Sequence, residues 1–286
     1  MGRIADFFRR SRKLTEDMPT ARMAPPASTA PILAGNVQGM GAREGQEDSF
    51  ALMNAADPEA FARQGLFAVV ADGMGGLEDG KAVSEGAVSG FLQLFQTLNP
   101  EGDIPEQLLN GVRAINDALV QRFGGRGGTT AVAVRIFRDQ LHWVSVGDSS
   151  IFLMRSGGVF QVNREHTRLN QLYLAELGRE PSDKTRAEAD PDGRRLSAFL
   201  GMPGLREVDR NLRSFSLLPG DVLLLCSDGI SGVLTPPELM EAMRLPPDEG
   251  CRLLETLVRE KSLPEQDNFT GTMIAIPSIP NGGREL

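Results

Sequence analysis

Three aspartates in this sequence follow apolar runs, and each has a glycine beside it. They are Asp72 in "LFAVVADGMGG" (66–76), Asp148 in "VSVGDS" (144–149) and Asp228 in "VLLLCSDG" (222–229). Asp-Gly is a strong hairpin signal, but the residues after Gly73 and Gly229 do not resemble return strands. A carboxylate at the end of a strand is presented at the rim of a sheet, and the following glycine lets its carbonyl approach a ligand closely. These positions therefore suggest metal binding.

Other carboxylates occupy comparable positions. Glu47 and Asp48 lie in "REGQEDS", and Asp267 lies in "EQDNFTG" before an apolar segment. Several acids at one rim repel one another, and some must protonate unless a cation compensates. An all-oxygen set suits Mg²⁺ or Mn²⁺, whereas two histidines are too few for a typical zinc site. Two such ions activate water and hold a phosphoryl group. The sequence alone does not show that these acids meet.

Strand and helix patterns indicate how the acids are positioned. The predicted strands are 49–53, 66–71, 129–136, 141–146, 150–154, 158–162, 212–218, 221–226 and 270–276. The predicted helices are 81–98, 105–122, 168–177, 236–243 and 248–260. "TTAVAVRIF" and "LHWVSVG" form a predicted hairpin through "RDQ", and Asp103 is a predicted helix N-cap. Hairpins combined with paired helices favour antiparallel sheets covered by helices.

Composition limits the classes of function. The chain has 286 residues, 41% of them hydrophobic, with a formal net charge of -8. This acidic balance disfavours nucleic-acid binding, and therefore also a nuclease. The two cysteines, Cys226 and Cys251, do not suggest a disulfide framework. We see no apolar run of membrane-spanning length and no signal-peptide pattern, so we expect a cytoplasmic protein.

The chain divides into segments of different composition. Residues 1–17 are basic and resemble a short amphipathic helix that could touch an anionic membrane, although a solvated terminus is the alternative. Residues 18–34 are a Pro/Ala-rich linker, 35–278 form the expected single domain, and 279–286 are a tail. Within the domain, the charged stretch 179–195 is expected to be an exposed loop or small flap, in a flap-like segment of about 168–200.

The ordered motifs resemble the bacterial branch of the metal-dependent protein serine/threonine phosphatases, the protein phosphatase 2C family. They are "GAREGQED", "VVADGMGGLEDGKAVS", "GGTTAVAV", "VSVGDSS", "LLCSDGISG" and "DNFTGT", and the match runs from about Gly35 to Ile276. The resemblance implies an α+β fold of two packed antiparallel sheets between helix pairs, in four layers. It also implies hydrolysis of phosphoserine and phosphothreonine on proteins by a hydroxide bridging two Mn²⁺ or Mg²⁺ ions, in opposition to Ser/Thr kinases.

The resemblance also implies a role for each site residue. Asp72 resembles the acid that bridges both ions, and Arg43 resembles the arginine that holds the substrate phosphate. The remaining ligand positions are Asp228 and Asp267 at the first ion, the Gly73 carbonyl and Glu47 (directly or through water) at the second, and Asp148, together with Asp228, at a third and weaker site. Asp48 resembles the acid that orients metal-bound water. The family also implies phosphorylated protein substrates, with a kinase or its targets among them, and we take a monomer as the default.

The sequence departs from the family pattern at several positions. Ser150 replaces an arginine, Gly232 replaces an aspartate, and "QED" replaces Asn-Glu-Asp. We interpret His166 as a structural residue, and the 179–195 segment matches the family flap poorly.

The alternative function is a binding or regulatory module with weak or no catalysis. A phospho-aspartate mechanism is disfavoured because Met74 and Ile230 stand where a second aspartate is needed. "GGRGGTT" lacks the lysine of a nucleotide-phosphate loop.

Overall fold

The computed structural model describes residues 32–74, 79–179 and 184–277. Two antiparallel sheets face each other, which confirms the predicted fold class. One sheet has the order β1 (Leu33–Gly39), β11 (Phe269–Ala275), β10 (Val222–Cys226), β6 (Ser150–Arg155) and β7 (Gly158–Gln161). The other has the order β2 (Ser49–Met53), β3 (Leu66–Ala71), β4 (Ala131–Phe137), β5 (Gln140–Val146) and β8 (Asp209–Arg210), and β9 (Phe215–Ser216) also pairs with β5.

Two pairs of helices cover the outer faces of the sheets. The helices of the described residues are α1 (Pro58–Gln64), α2 (Gly80–Thr97), α3 (Ile104–Phe123), α4 (Arg168–Leu177), α5 (Lys184–Glu188), α6 (Asp228–Ser231), α7 (Pro236–Met243) and α8 (Pro247–Glu260). Side chains of α2 and α3 pack on the sheet that contains β3, and those of α7 and α8 pack on the sheet that contains β10. No helix in the described ranges is long and apolar enough to cross a bilayer.

The structure explains why residues 66–71, which form strand β3, are all apolar. All six residues of the strand are buried, because one face meets the opposite sheet and the other meets the helices. Leu66, Ala68 and Val70 join the core between the sheets, whereas Phe67 and Val69 join the core beneath α2 and α3. Side chains alternate across a strand, so both faces must be apolar when both are covered.

The predicted hairpin and N-cap are confirmed. Strands β4 and β5 pair antiparallel from Ala131 opposite Val146 to Phe137 opposite Gln140. The carboxylate of Asp103 accepts a hydrogen bond of 3.1 Å from the backbone N–H of Glu106, in the first turn of α3.

Some elements differ from the predictions. Strand β1 begins at Leu33, inside the segment predicted as linker, and it forms by pairing with β11 although its sequence "LAGNVQG" contains two glycines. Helix α1, with Asp57 as its N-cap, was not predicted. The strand predicted over 212–218 is limited to the two-residue β9, and the predicted loop 179–195 contains α5. The segments 1–17 and 279–286 lie outside the described residues.

Candidate metal centre

The predicted acids come together because the sheet topology brings their strand ends to one edge. Asp72 follows β3 and Asp148 follows β5, and both flank the start of β4. Asp228 follows β10, whose last residue Cys226 lies opposite Ser150 and Gly271 near the starts of β6 and β11. Each sheet therefore contributes carboxylates to the same end of the sandwich.

The electrostatics of Asp72 confirm that these groups are neighbours. Its pKa is raised well above the usual value, first by burial and then by the negative charges of Asp48, Asp228, Asp148 and Asp267. Burial raises the pKa of Asp148 to about 7, with a further contribution from Asp228. Like charges this close oppose ionisation unless a cation is bound among them.

Asp228 is the acid from the second sheet that lies next to both Asp72 and Asp267. The pKa of Asp228 is raised, chiefly by burial and then by Asp267. A bound cation would offset the mutual repulsion of these carboxylates.

Asp48 is fully buried and only partly satisfied. Its Oδ2 accepts a hydrogen bond of 2.9 Å from Ser227 Oγ, which in turn accepts one of 2.9 Å from the Thr270 backbone N–H. Its Oδ1 is buried and accepts no hydrogen bond within the described part of the chain. Burial raises its pKa to about 6, although the nearby hydroxyl groups of Thr270 and Ser227 act in the opposite direction. An orphaned buried oxygen of this kind is a ready acceptor for a ligand or water.

Arg43 and Glu47 lie in a loop that runs from Met40 to Glu47 beside β11. Nη2 of Arg43 forms an ion pair of 2.6 Å with Oδ2 of Asp267. The Glu47 carboxylate lies near Gly80, at the start of α2. The structure thus places Arg43 at the rim of the acid cluster, where an exposed guanidinium can reach an incoming anion.

The glycines after Asp72 and Asp228 are required by close backbone approach rather than by hairpin turns. A Cβ on Gly73 would lie 2.6 Å from the carbonyl oxygen of Glu47 and 2.7 Å from that of Gly80. A Cβ on Gly229 would overlap the carbonyl oxygen of Asn268. Gly229 lies within α6, so no return strand follows it.

The donor set fits hard divalent cations. It is made only of oxygen ligands, it includes the unpaired Oδ1 of Asp48, and the pKa values of Asp72 and Asp228 are raised by burial and by neighbouring acids. Nevertheless, among residues 32–74, 79–179 and 184–277, no three acidic, histidine or cysteine side chains already form an arrangement that could hold a metal ion. One of the acids, Asp267, is instead paired with Arg43.

Two supporting residues were not recognised from the sequence. Ser227 fixes Asp48, and Asn268 bonds the loop that carries Arg43 and Glu47. Both are neutral and polar, so no charge pattern marks them. The available signal was position in the sequence, since each residue adjoins a candidate ligand, Ser227 next to Asp228 and Asn268 next to Asp267.

Comparison with known proteins identifies the family. A family model described as protein phosphatase 2C matches residues 48–266. The chain belongs to the protein phosphatase 2C family. The serine/threonine protein phosphatase PstP of Mycobacterium tuberculosis is 30% identical over 197 residues, which are 66% of this chain and 37% of that protein. The chain therefore spans little more than a third of the length of that curated relative.

Two further family members extend the comparison. The serine/threonine phosphatase stp of Listeria welshimeri is 27% identical over 217 residues, covering 72% of this chain and 82% of that protein. A solved structure of the catalytic domain of PstP in complex with two manganese ions has a TM-score of 0.66 and 25% identity, and the match covers 86% of this chain and 99% of that one.

The departures from the protein phosphatase 2C pattern have local structural roles. Ser150 is buried, and its Oγ accepts a hydrogen bond of 3.2 Å from Gln161 Nε2. Gly232 ends α6, with its N–H donating to the carbonyl of Asp228 at 2.7 Å. Nδ1 of His166 accepts a hydrogen bond of 3.1 Å from the N–H of Gly147, which supports the interpretation of His166 as structural. Its position next to Gly147 helps hold the segment that carries Asp148.

Proposed function

We propose that this chain is a Mg²⁺- or Mn²⁺-dependent protein serine/threonine phosphatase that hydrolyses phosphoserine and phosphothreonine on proteins. The observation that carries the proposal is the acid cluster at one end of the sandwich, with an exposed arginine at its rim. Membership of the protein phosphatase 2C family and the manganese ions bound to the similar PstP domain support the same conclusion.

The proposed ligands are drawn from both sheets. Asp72 would bridge two ions, and the remaining positions would be Asp228 and Asp267 for the first ion, Glu47 and the Gly73 carbonyl for the second, and Asp148 for a third. Ions bound in this way would supply an activated water nucleophile and neutralise charge on the phosphoryl group. For Asp267 to bind an ion through Oδ2, its ion pair with Arg43 must open.

The protein side chains would bind and orient the reactants. Arg43 would bind two phosphate oxygens through its planar guanidinium, which suits a phosphate better than a point charge does. Asp48, held by Ser227, would accept a hydrogen bond from the attacking water through its free Oδ1. No nucleophilic side chain is needed, so hydrolysis would proceed without a covalent enzyme intermediate.

The biological setting is also part of the proposal. The substrates would be phosphorylated proteins, with a Ser/Thr kinase or its targets among them, and the chain would act as a cytoplasmic monomer. The two buried free thiols, Cys226 and Cys251, support a reducing compartment. The basic segment 1–17 would contribute at most weak membrane contact, and the net charge of -8 argues against nucleic acid as a partner.

The decisive experiment is hydrolysis of a phosphothreonine peptide by the purified chain. Wild type would be compared in Mn²⁺ and in EDTA, alongside Asp72→Asn and Asp228→Asn. We expect turnover in Mn²⁺ and loss of it in EDTA and in both variants. If folded wild type turns over none of several phosphopeptides in Mn²⁺ or Mg²⁺, the chain is a binding module rather than an enzyme.

A further inference from the structure

The side chain of Asn268 joins both ends of the loop from Met40 to Glu47. Its Oδ1 accepts a hydrogen bond of 2.8 Å from the backbone N–H of Glu47. Its Nδ2 donates to the carbonyl oxygens of Met40 and Gly45, each at 2.9 Å. The residue is 4% exposed, so one buried amide uses three of its hydrogen-bonding positions on a single loop.

This loop depends on hydrogen bonds rather than on burial. Residues 40–45 are all exposed, so apolar packing contributes little to their position. The other backbone contact across to the β11 side is the N–H of Ala42 donating to the carbonyl of Gln266 at 2.8 Å. At the far end, the hydroxyl of Ser84 donates to the Glu47 carbonyl. Within the loop, Gln46 adds a bond from Nε2 to the Gly39 carbonyl and accepts one from the Asp48 N–H. From outside the loop, Asn268 bonds to both its beginning and its end.

The loop carries two of the proposed functional residues. Arg43 would bind the substrate phosphate, and Glu47 would reach the second ion. Asn268 itself directly follows Asp267, a proposed ligand of the first ion, and its backbone N–H donates to Asp267 Oδ1 at 2.8 Å. A single residue therefore connects the proposed phosphate-binding loop to the strand that presents a proposed metal ligand.

We propose that Asn268 is a positioning residue that holds Arg43 and Glu47 in place for phosphate binding. This inference rests on the proposed phosphatase function and adds a residue to it. Asn268 touches neither phosphate nor metal. It acts by keeping the loop ordered before substrate arrives, so that binding does not have to order the loop.

Removing the amide should affect binding more than folding. The three freed backbone groups lie in or beside exposed chain, where water can replace their partners. The loop would then sample more conformations, and ordering even one extra backbone residue at binding corresponds to about a tenfold rise in KM. The turnover number should change much less, because the bound complex recovers the same geometry.

The chain offers a matched control in Asn211. This residue is also buried, and its Oδ1 accepts from the N–H of Trp143 while its Nδ2 donates to the carbonyls of Leu141 and Arg213. It has the same three-bond pattern but anchors the segment 209–213 to β5. Asn211→Ala therefore removes an equivalent set of bonds without touching the proposed site.

The experiment compares wild type, Asn268→Ala and Asn211→Ala in two measurements. The first is steady-state hydrolysis of a phosphothreonine peptide in Mn²⁺, with inorganic phosphate as a competitive inhibitor. The second is backbone hydrogen exchange in EDTA. We expect Asn268→Ala to raise KM and the phosphate inhibition constant about tenfold and to speed exchange within 40–47. Asn211→Ala should leave both constants unchanged and speed exchange near 209–213.

The remaining outcomes are equally decisive. Equal KM values for the two alanine variants, or unchanged exchange at 40–47, would overturn the proposal. If Asn268→Ala does not fold, Asn268→Asp keeps the acceptor for Glu47 and loses both donors, and it must show the same rise in KM. If neither variant folds, Asn268 is a folding residue and the proposal fails. If wild type is inactive, the phosphatase proposal fails, and the exchange comparison alone decides whether Asn268 holds the loop.

Discussion

Arg43 and Asp267 form an ion pair of 2.6 Å at the rim of the acid cluster, although the two residues are proposed to bind different partners. Arg43 would bind phosphate, and Asp267 would bind a metal ion. The pair is about half exposed on both sides, so it contributes little to stability. Arg43 and a metal ion would compete for the same carboxylate oxygen, Oδ2 of Asp267. An ion bound there would leave Arg43 free to bind phosphate.

The first prediction separates phosphate binding from metal binding. Arg43→Ala should lower kcat/KM for a phosphothreonine peptide about 100-fold, because a charge-assisted and potentially bidentate contact is lost. Arg43→Lys should recover only part of this loss. Mn²⁺ affinity, measured by calorimetry, should not fall, since Asp267 loses a competitor. Arg63→Ala, in an exposed pair with Glu59 on α1, is the control. If Mn²⁺ affinity falls as much as kcat/KM in Arg43→Ala, the assignment of Arg43 to phosphate binding is contradicted.

The second prediction concerns the metal-free protein. Asp72→Asn and Asp228→Asn remove carboxylates whose pKa values are raised by burial and by neighbouring acids. Each substitution should therefore raise the melting temperature in EDTA, by about 3–6 °C for a chain of this size. Each should also abolish the stabilisation that Mn²⁺ gives to wild type. Asp117→Asn, on the exposed face of α3, should show neither effect. A lower melting temperature in EDTA for both site variants would argue against mutual repulsion.

The third prediction tests the close approach at Gly229. Gly229→Ala places a Cβ against the carbonyl of Asn268, and backbone cannot yield as a side-chain tip can. We expect a loss of about 1–3 kcal/mol in the free energy of unfolding, together with displacement of Asp228 and weaker Mn²⁺ binding. Gly178→Ala is a suitable comparison, because its Cβ would meet only an ordinary contact of 3.6 Å. If Gly229→Ala keeps the unfolding free energy and the Mn²⁺ affinity of wild type, this explanation for the glycine is refuted.

The fourth prediction concerns pH and lies away from the metal centre. His142 is buried beside Arg135, and burial followed by the arginine charge lowers its pKa to about 4, although Asp103 acts in the opposite direction. Between about pH 6.5 and 4 the unfolded chain therefore binds more protons than the folded one. Stability attributable to His142 is complete above the unfolded pKa and falls as pH decreases through this window, by at most about 3 kcal/mol.

The measurement is chemical unfolding of wild type and His142→Gln between pH 7.5 and 5. Because the substitution also changes absolute stability, the relevant quantity is the slope of the unfolding free energy with pH. Wild type should lose stability faster than the variant below about pH 6.5. If the unfolding free energies of the two proteins change with pH in parallel, the pKa of His142 is the same in the folded and unfolded chains.

The acids could be predicted because their local signals agreed with the fold. An all-apolar run such as β3 is typical of a strand covered on both faces, so the first carboxylate after it, Asp72, had to lie at the sheet edge. The same argument applied to Asp228 after β10. The role of Arg43 could not be reached in this way, because its position depends on contacts with residues more than two hundred positions away along the chain.

The features that were missed from the sequence have different physical origins. Strand β1 lacks β-branched residues apart from Val37, and its pairing with β11 rather than its own propensity makes it a strand. Helix α1 did carry readable signals, with Asp57 as N-cap, Pro58 in the first turn and Gly65 at its end. Asn268 had no comparable mark, since a neutral amide becomes important only through the backbone groups that the fold brings to it.

The division of the acids between two sheets has a consequence for the order of events during folding. Asp72 and Asp148 belong to one sheet and Asp228 and Asp267 to the other, so the complete set of proposed ligands would exist only after the sheets have packed. The apolar core between the sheets would therefore assemble the site against the repulsion of its own carboxylates, and an ion would bind last. An ion bound at this end would slow the unfolding of the chain without accelerating its folding.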